Sequence, residues 1–250
     1  MKRIAIFVYG VACYAAFFAS FLYLAGFVSG FLTPTKLDGP MTTPFWTALG
    51  IDLGLLLVFA LQHSIMARPS FKRVWTQIVP EPAERSTYVL FTVVALALIF
   101  WQWRPLGGVV WDVQNSAARA VIFGIAVFGW LLVLGSTFAI NHFDLFGLRQ
   151  VWLYLRKKPY THLKFKTPVP YNVVRHPLYV GWAIAFWATP TMTASHMVFA
   201  VGSVIYMLIA IYFEERNLVQ FHPEYASYRK RVPMIVPIPS RRETSEPVAV

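Results

Sequence analysis

Six apolar runs divide this chain of 250 residues, and their length decides what it can fold into. They extend from Ile4 to Leu32, Trp46 to Met66, Thr87 to Trp103, Ala117 to Ile140, Leu178 to Thr193 and Met197 to Phe213. A helix that crosses a bilayer needs about twenty predominantly apolar residues. Runs of this length cannot be solvated in a soluble domain of this size, so the fold class expected is all-α, a polytopic integral membrane protein with about six transmembrane helices. The last two runs are short and meet at "ATPTMTASH", a turn rich in Thr and Ser, which predicts a helical hairpin. Hydrophobic residues make up 57% of the chain and charged residues only 13%, against roughly 45–50% and 25% in soluble proteins.

The charges orient the spans. Lys2 and Arg3 precede the first run, Arg68, Lys72, Arg73 and Arg85 follow the second, and seven Lys and Arg between Arg149 and Arg175 follow the fourth. The first loop on the other side holds only Lys36 and Asp38. Cytoplasmic loops keep an excess of Lys and Arg, so both termini are expected in the cytoplasm, with a bacterial inner membrane as the location. The net charge of +11 is explained by the same rule, with membrane lipids as partners and no nucleic acid. Cys13 is the lone cysteine, which excludes an internal disulfide and a cysteine-rich metal site. His142 and Asp144 lack further ligands at any recognised spacing, so no metal is expected.

The chain reads as a single domain over residues 1–250. Residues 1–140 form a four-helix N-terminal part, 141–176 a loop lying on the membrane surface, and 177–239 a hairpin and tail that bind a ligand. The segment after Ser240 reads as a frayed terminus.

Polar residues at membrane depth mark functional sites by default. Gln62 and His63 close the second run, Asn141, His142 and Asp144 follow the fourth, Arg175, His176 and Tyr179 open the fifth, and Glu214 and Glu215 end the sixth. The positive-charge rule puts all four clusters on one face, as a pocket opening to the cytosol requires. Asp52 lies at the other face, where a solvated or hydrogen-bonded carboxylate is expected. Within "VRHPLYVGW", His176 falls at a helix N-cap and Pro177 at the first helical position. Such a helix start favours an anion, and Arg175 adds a planar fork suited to a carboxylate. Gly181 permits close approach of another backbone or a ligand, and the Glu pair could take an ammonium or a ribose hydroxyl. Glycine-rich dinucleotide and Walker loops, H-E-x-x-H, C-x-x-C and G-x-S-x-G are all missing from the sequence.

"VRHPLYVGW", then "YFEERNL", then "FHPEYASYRKRVPMIVP" together resemble the C-terminal signature of the isoprenylcysteine carboxyl methyltransferase superfamily. With "LQHSIMA" and "NHFDLFGLRQVW" the chain is similar to one branch, the bacterial methanethiol S-methyltransferases and NnrU-like membrane proteins. The resemblance implies S-adenosyl-L-methionine as methyl donor, held by Tyr171, Arg175, His176, Tyr179, Gly181, Glu214, Glu215, Tyr225 and Tyr228. It implies a small volatile thiol as acceptor, methanethiol giving dimethyl sulfide. A thiol is mostly protonated at neutral pH, so a base is needed. His142 oriented by Asp144 is the expected catalytic pair, with Gln62, His63 and Asn141 on the substrate. The rival expectations are a lipid-type carboxyl methyltransferase, an NADPH-dependent sterol-reductase-like enzyme and a non-catalytic membrane protein.

Overall fold

A computed structural model describes residues 1–161 and 163–237; the last part of the tail, including the segment expected to fray, lies outside the described residues. In chain order the elements are α1 (Lys2–Ser29), α2 (Phe45–Met66), α3 (Pro69–Trp75), α4 (Glu81–Gln102), β1 (Val109–Asp112), α5 (Ser116–Ile140), α6 (His142–Leu145), α7 (Leu148–Leu155), α8 (Pro177–Trp187), β2 (Thr191–Thr193), α9 (Ala194–Phe221) and α10 (Glu224–Arg231). Among the described residues, α1, α2, α4, α5 and α9 are long and apolar enough to cross a membrane. This is an integral membrane protein.

Five long helices stand where six runs predict spans. The fifth run forms α8, which has 11 residues and reaches only about 16 Å at 1.5 Å per residue. Pro190 is the cause of the early stop. It disfavours the helical conformation at Thr189 and offers no amide, so the run leaves helix after Trp187. Extended chain completes the passage and ends in β2. That strand pairs antiparallel with β1, Val109 opposite Thr193 and Asp112 opposite Thr191, a two-stranded ribbon the apolar pattern does not announce. Thr193 then caps α9 by accepting the His196 amide at 3.1 Å. The 28 residues of α9 span about 42 Å against a hydrocarbon core of about 30 Å, so its last turns project beyond the membrane.

Two faces result. One holds Met1, the C-terminal ends of α2, α5 and α9, and helices α3, α6, α7 and α10; we call it the terminal face. The opposite face holds the β1–β2 ribbon. There His196 bonds the Phe186 carbonyl at 2.8 Å and lies 3.3 Å from Asp38, tying α8 and α9 to the α1–α2 loop. Asp52 is fully buried and accepts the Arg104 amide at 2.9 Å, so it is hydrogen-bonded but not solvated. Cys13 is buried as a small apolar residue. The segment expected as a surface loop between residues 141 and 176 is in part internal. Val151 of α7 is fully buried against α1 and α4, in the notch left by Gly10.

The hairpin of α8 and α9 closes the fold, but α8 packs hardest on α5. A Cβ on Gly181 would stand 2.8 Å from the Val133 amide nitrogen, and one on Gly129 would stand 2.6 Å from that of Ala185. The two backbones touch there, as small-residue contacts in membranes allow. Gly181 was expected in the cofactor site; it faces α5 instead, because the close approach it permits is that of a helix. Gly181→Ala should cost about 1–3 kcal/mol by overpacking, read as a lower thermal midpoint in detergent. Gly124→Ala, which meets open space on the same helix α5, should leave the midpoint unchanged.

Candidate active site

The terminal face is organised by one carboxylate. Oε1 of Glu215, in the projecting part of α9, accepts Arg175 Nε at 2.8 Å, His176 Nε2 at 3.0 Å and the Tyr225 hydroxyl at 3.2 Å. Arg175 also donates through Nη1 to the carbonyls of Arg229 and Val232, at 3.0 and 2.6 Å. The backbone follows suit, with Arg175 and His176 amides bonded to Pro233 and Met234 carbonyls. Thus the start of α8, the end of α9 and the tail after α10 are knotted together. The buried charges tolerate desolvation because each has several partners.

Glu214 faces the other way. Its side chain is 45% exposed, and Oε2 accepts the Tyr179 hydroxyl at 3.0 Å. Oε1 of Glu214 and Nη2 of Arg175 have no partner among the described residues. Tyr171 donates to the Ser136 carbonyl at 3.4 Å, and Tyr228 donates to the carbonyl of Tyr171. Phe165 lies among Tyr225, Tyr228 and His222 with ring centres 5.6–5.9 Å apart. Burial pushes the Tyr228 phenol up to about 12, and raises Tyr171 and Tyr225 as well, so these rings stay neutral.

Tyr179 also lines an apolar cavity of about 280 Å³ inside the bundle. Its walls come from α1, α2, α4, α5, α8 and α9, and include Phe21, Phe59, Trp182, Phe199 and Met207. The polar wall residues are few: His63, Arg85, Tyr88, Thr92, Thr137, Ser203 and Tyr206. His63 is the one substrate residue expected from the sequence that reaches it. Arg85, Tyr88 and Thr92 were not expected, although Arg85, Tyr88, Thr92, Leu96 and Ile99 all line the cavity at helical spacing. That stripe is readable in the sequence and was masked by its apolar members.

Hydrogen-bond bookkeeping fixes the tautomer of His63. The Thr92 hydroxyl donates its single proton to the Tyr88 carbonyl at 3.0 Å, so Thr92 must accept from His63 Nδ1 at 3.2 Å. Nε2 therefore carries the lone pair, which accepts the Tyr88 hydroxyl at 2.8 Å. The ring is held flat against Phe59, planes 12° apart.

His142 repeats the arrangement behind the wall. Thr137 donates to the Leu134 carbonyl and so accepts from Nδ1 at 2.8 Å, leaving Nε2 to accept the Tyr14 hydroxyl at 2.9 Å. The ring stacks on Phe138 at 4.1 Å and abuts Phe146, which stands on the cavity wall. Burial lowers the pKa of His142, so it is neutral at neutral pH. Asp144, expected from the sequence to orient it, does not. Its carboxylate is taken by Arg149 at 2.8 Å and Tyr160 at 3.3 Å, because Arg149 one turn on in α7 is the nearer charge. Asn141 caps α6 by accepting the Asp144 amide at 3.1 Å. Gln62 donates to the Met66 sulfur at 3.3 Å and is not among the cavity-lining residues.

A family model described as NnrU protein matches residues 53–235. The chain belongs to the NnrU family. Relatives named methanethiol S-methyltransferase include one from Crocosphaera subtropica, 52% identical over 95% of this chain and 93% of the relative. Another, from Mycobacterium tuberculosis, is 48% identical over 96% of this chain and 99% of the relative. Nurim of Xenopus laevis is similar at 28% identity over 78% of this chain and 70% of that protein. No solved structure matches the chain.

Within this NnrU-family fold, Glu215→Ala should strip the Arg175 guanidinium of its carboxylate at a cost of about 3–5 kcal/mol, read as early melting and faster proteolysis of the tail. The Tyr228 phenol gives an alkaline limit. Its folded pKa lies above the ordinary value of about 10, so docking of the tail holds below that pH and weakens as pH rises towards 12. Tyrosinate absorbance measured beside proteolysis checks the order of events.

Proposed function

We propose that this protein methylates methanethiol to dimethyl sulfide with S-adenosylmethionine as donor, at the terminal face, which we assign to the cytoplasmic side of a bacterial inner membrane. Full-length relatives named for this reaction support the acceptor and imply a methyl donor. The excess of Lys and Arg on the terminal face supports the orientation. One observation carries the reading: Tyr179 belongs both to the polar cluster around Glu214 and to the apolar cavity. A polar donor site and an apolar acceptor site thereby share one wall.

The residues present fit an amino-acid nucleoside cation. Glu214 has an unspent carboxylate oxygen beside Tyr179 and suits an ammonium. Nη2 of Arg175 suits a carboxylate, and the partly exposed Phe165 ring, backed by the buried Tyr225 and Tyr228, suits a flat base. S-adenosylmethionine supplies a methyl group on a positively charged sulfur. The chain's own residues do the rest. The cavity wall excludes water, so an anionic sulfur held in it keeps its full attraction for a cation at the mouth. Its apolar, aromatic walls suit the alkyl group of a small thiol. His63 lines the cavity offered to the acceptor, and His142 stands behind its Phe146 wall.

Purified protein incubated with methanethiol and S-adenosylmethionine should release dimethyl sulfide, measured by headspace gas chromatography. Calorimetric titration should give a heat of binding with S-adenosylmethionine and none with NADPH. Glu214→Gln, which leaves the Glu215 knot intact, should weaken that binding roughly ten- to hundredfold. Absence of dimethyl sulfide from the wild type would overturn the reading.

A further inference from the structure

Resting on the reading that the cavity takes a small thiol, we infer that Tyr88 removes the thiol proton by passing its own to His63, and that Arg85 holds the resulting thiolate. Two observations carry this. The first is the direction of the hydrogen bonds. Thr92 forces Nε2 of His63 to be an acceptor, and the Tyr88 hydroxyl lies 2.8 Å from it, against 3.4 Å from the competing His63 carbonyl. The Tyr88 proton is committed to the imidazole, so its oxygen has lone pairs to offer a donor in the cavity it lines.

The second is Arg85. Its Nε donates to the Leu145 carbonyl at 2.7 Å, and its guanidinium lies 5.0 Å from the Tyr88 ring. Nη1 and Nη2 have no hydrogen-bond acceptor or carboxylate among the described residues. Neighbouring Glu84 pairs with Lys72 at 3.7 Å. Arg85 is half-buried, and an anion in the cavity it lines would fill those donors. On the reading that the cavity takes a small thiol, that anion is the thiolate.

The step balances. The S–H bond breaks and its proton goes to the Tyr88 oxygen; the O–H bond of Tyr88 breaks and that proton goes to Nε2 of His63. His63 becomes an imidazolium, with Nδ1–H on Thr92 and Nε2–H returned to Tyr88. The sulfur keeps the electron pair, faces Arg85 and forms the new S–CH3 bond. The proton on His63 leaves to solvent after the product. The charged and titratable groups facing Tyr88 and His63 are Arg85 and Glu84 of α4, Tyr206 and Glu214 of α9, and Tyr179 of α8, with Lys72 of α3 beside Arg85.

The test compares methanethiol with the more acidic trifluoroethanethiol in wild type, Tyr88→Phe and Arg85→Gln, with S-adenosylmethionine affinity measured for each. Tyr88→Phe should lose roughly a hundredfold or more of methanethiol turnover at neutral pH, recover as pH rises, and methylate trifluoroethanethiol near the wild-type rate. Arg85→Gln should fail with both thiols, chiefly through a raised KM, while S-adenosylmethionine affinity is kept. If Tyr88→Phe does not fold, Thr92→Val, which unlocks the tautomer, should show the same selective loss. Equal loss of both thiols in the relay variants, or a wild-type pH profile, would overturn the relay while dimethyl sulfide from the wild type keeps the parent reading. A wild type that makes no dimethyl sulfide overturns both.

Discussion

One carboxylate oxygen carries the terminal face. Oε1 of Glu215, in α9, gathers the guanidinium and imidazole of the neighbours Arg175 and His176 and the phenol of Tyr225 in α10. This carboxylate, with the Arg175 and His176 amides on the tail carbonyls, fixes where α8 begins, since its 11 residues cannot reach across the membrane to anchor at both ends. Its inner part is held by backbone contact with α5 at Gly129 and Gly181, and its start by this knot. The register of α8 then sets the position of Tyr179, one turn from Arg175, and through it the wall shared by cluster and cavity. A buried charge with a single partner would be a poor foundation; three donors on one oxygen, with Nη1 of Arg175 on two further carbonyls, make it a good one.

Adjacent glutamates therefore divide two duties. Glu215 spends its charge inside the protein, whereas Glu214 is half-exposed and bonds Tyr179 of the cavity wall. The same economy recurs in the histidines. His63 and His142 are both held by a threonine that has given its proton to a backbone carbonyl, and both accept a tyrosine hydroxyl. Chemistry alone does not separate them. Location does, because His63 and Tyr88 line the cavity and His142 lies behind Phe146.

Much of this was legible in the sequence. Four long runs gave four long helices within a few residues, since twenty apolar residues have few alternatives in a bilayer. Charge counting put every polar cluster on one face, and there they are. The sequence could not separate Glu214 from Glu215, because successive residues on a helix point about 100° apart and only a partner decides which turns inward. It missed the brevity of α8, for hydropathy continues through Trp187 to Thr193 while Pro190 ends the helix. It missed Arg85, which reads as one more basic loop residue until α4 is seen to begin at Glu81 and carry it onto the cavity wall. It paired His142 with Asp144 by proximity along the chain, where the nearer charge in space is Arg149.

The position of the cations relative to the cavity bears on why methyl transfer to sulfur suits a membrane fold. A neutral thiol with a short alkyl group partitions readily into apolar surroundings, but its thiolate does not, so an apolar cavity alone would suppress the reactive form. A base alone would not solve this, since the ion pair it makes must still be held where water is scarce. Arg85 changes the balance because it is already there, fixed through Nε and lying against Tyr88. On the proposed relay its position is set in folding, so the thiolate would meet a field already in place. The same wall that penalises an unpaired anion would then favour one that pairs with Arg85.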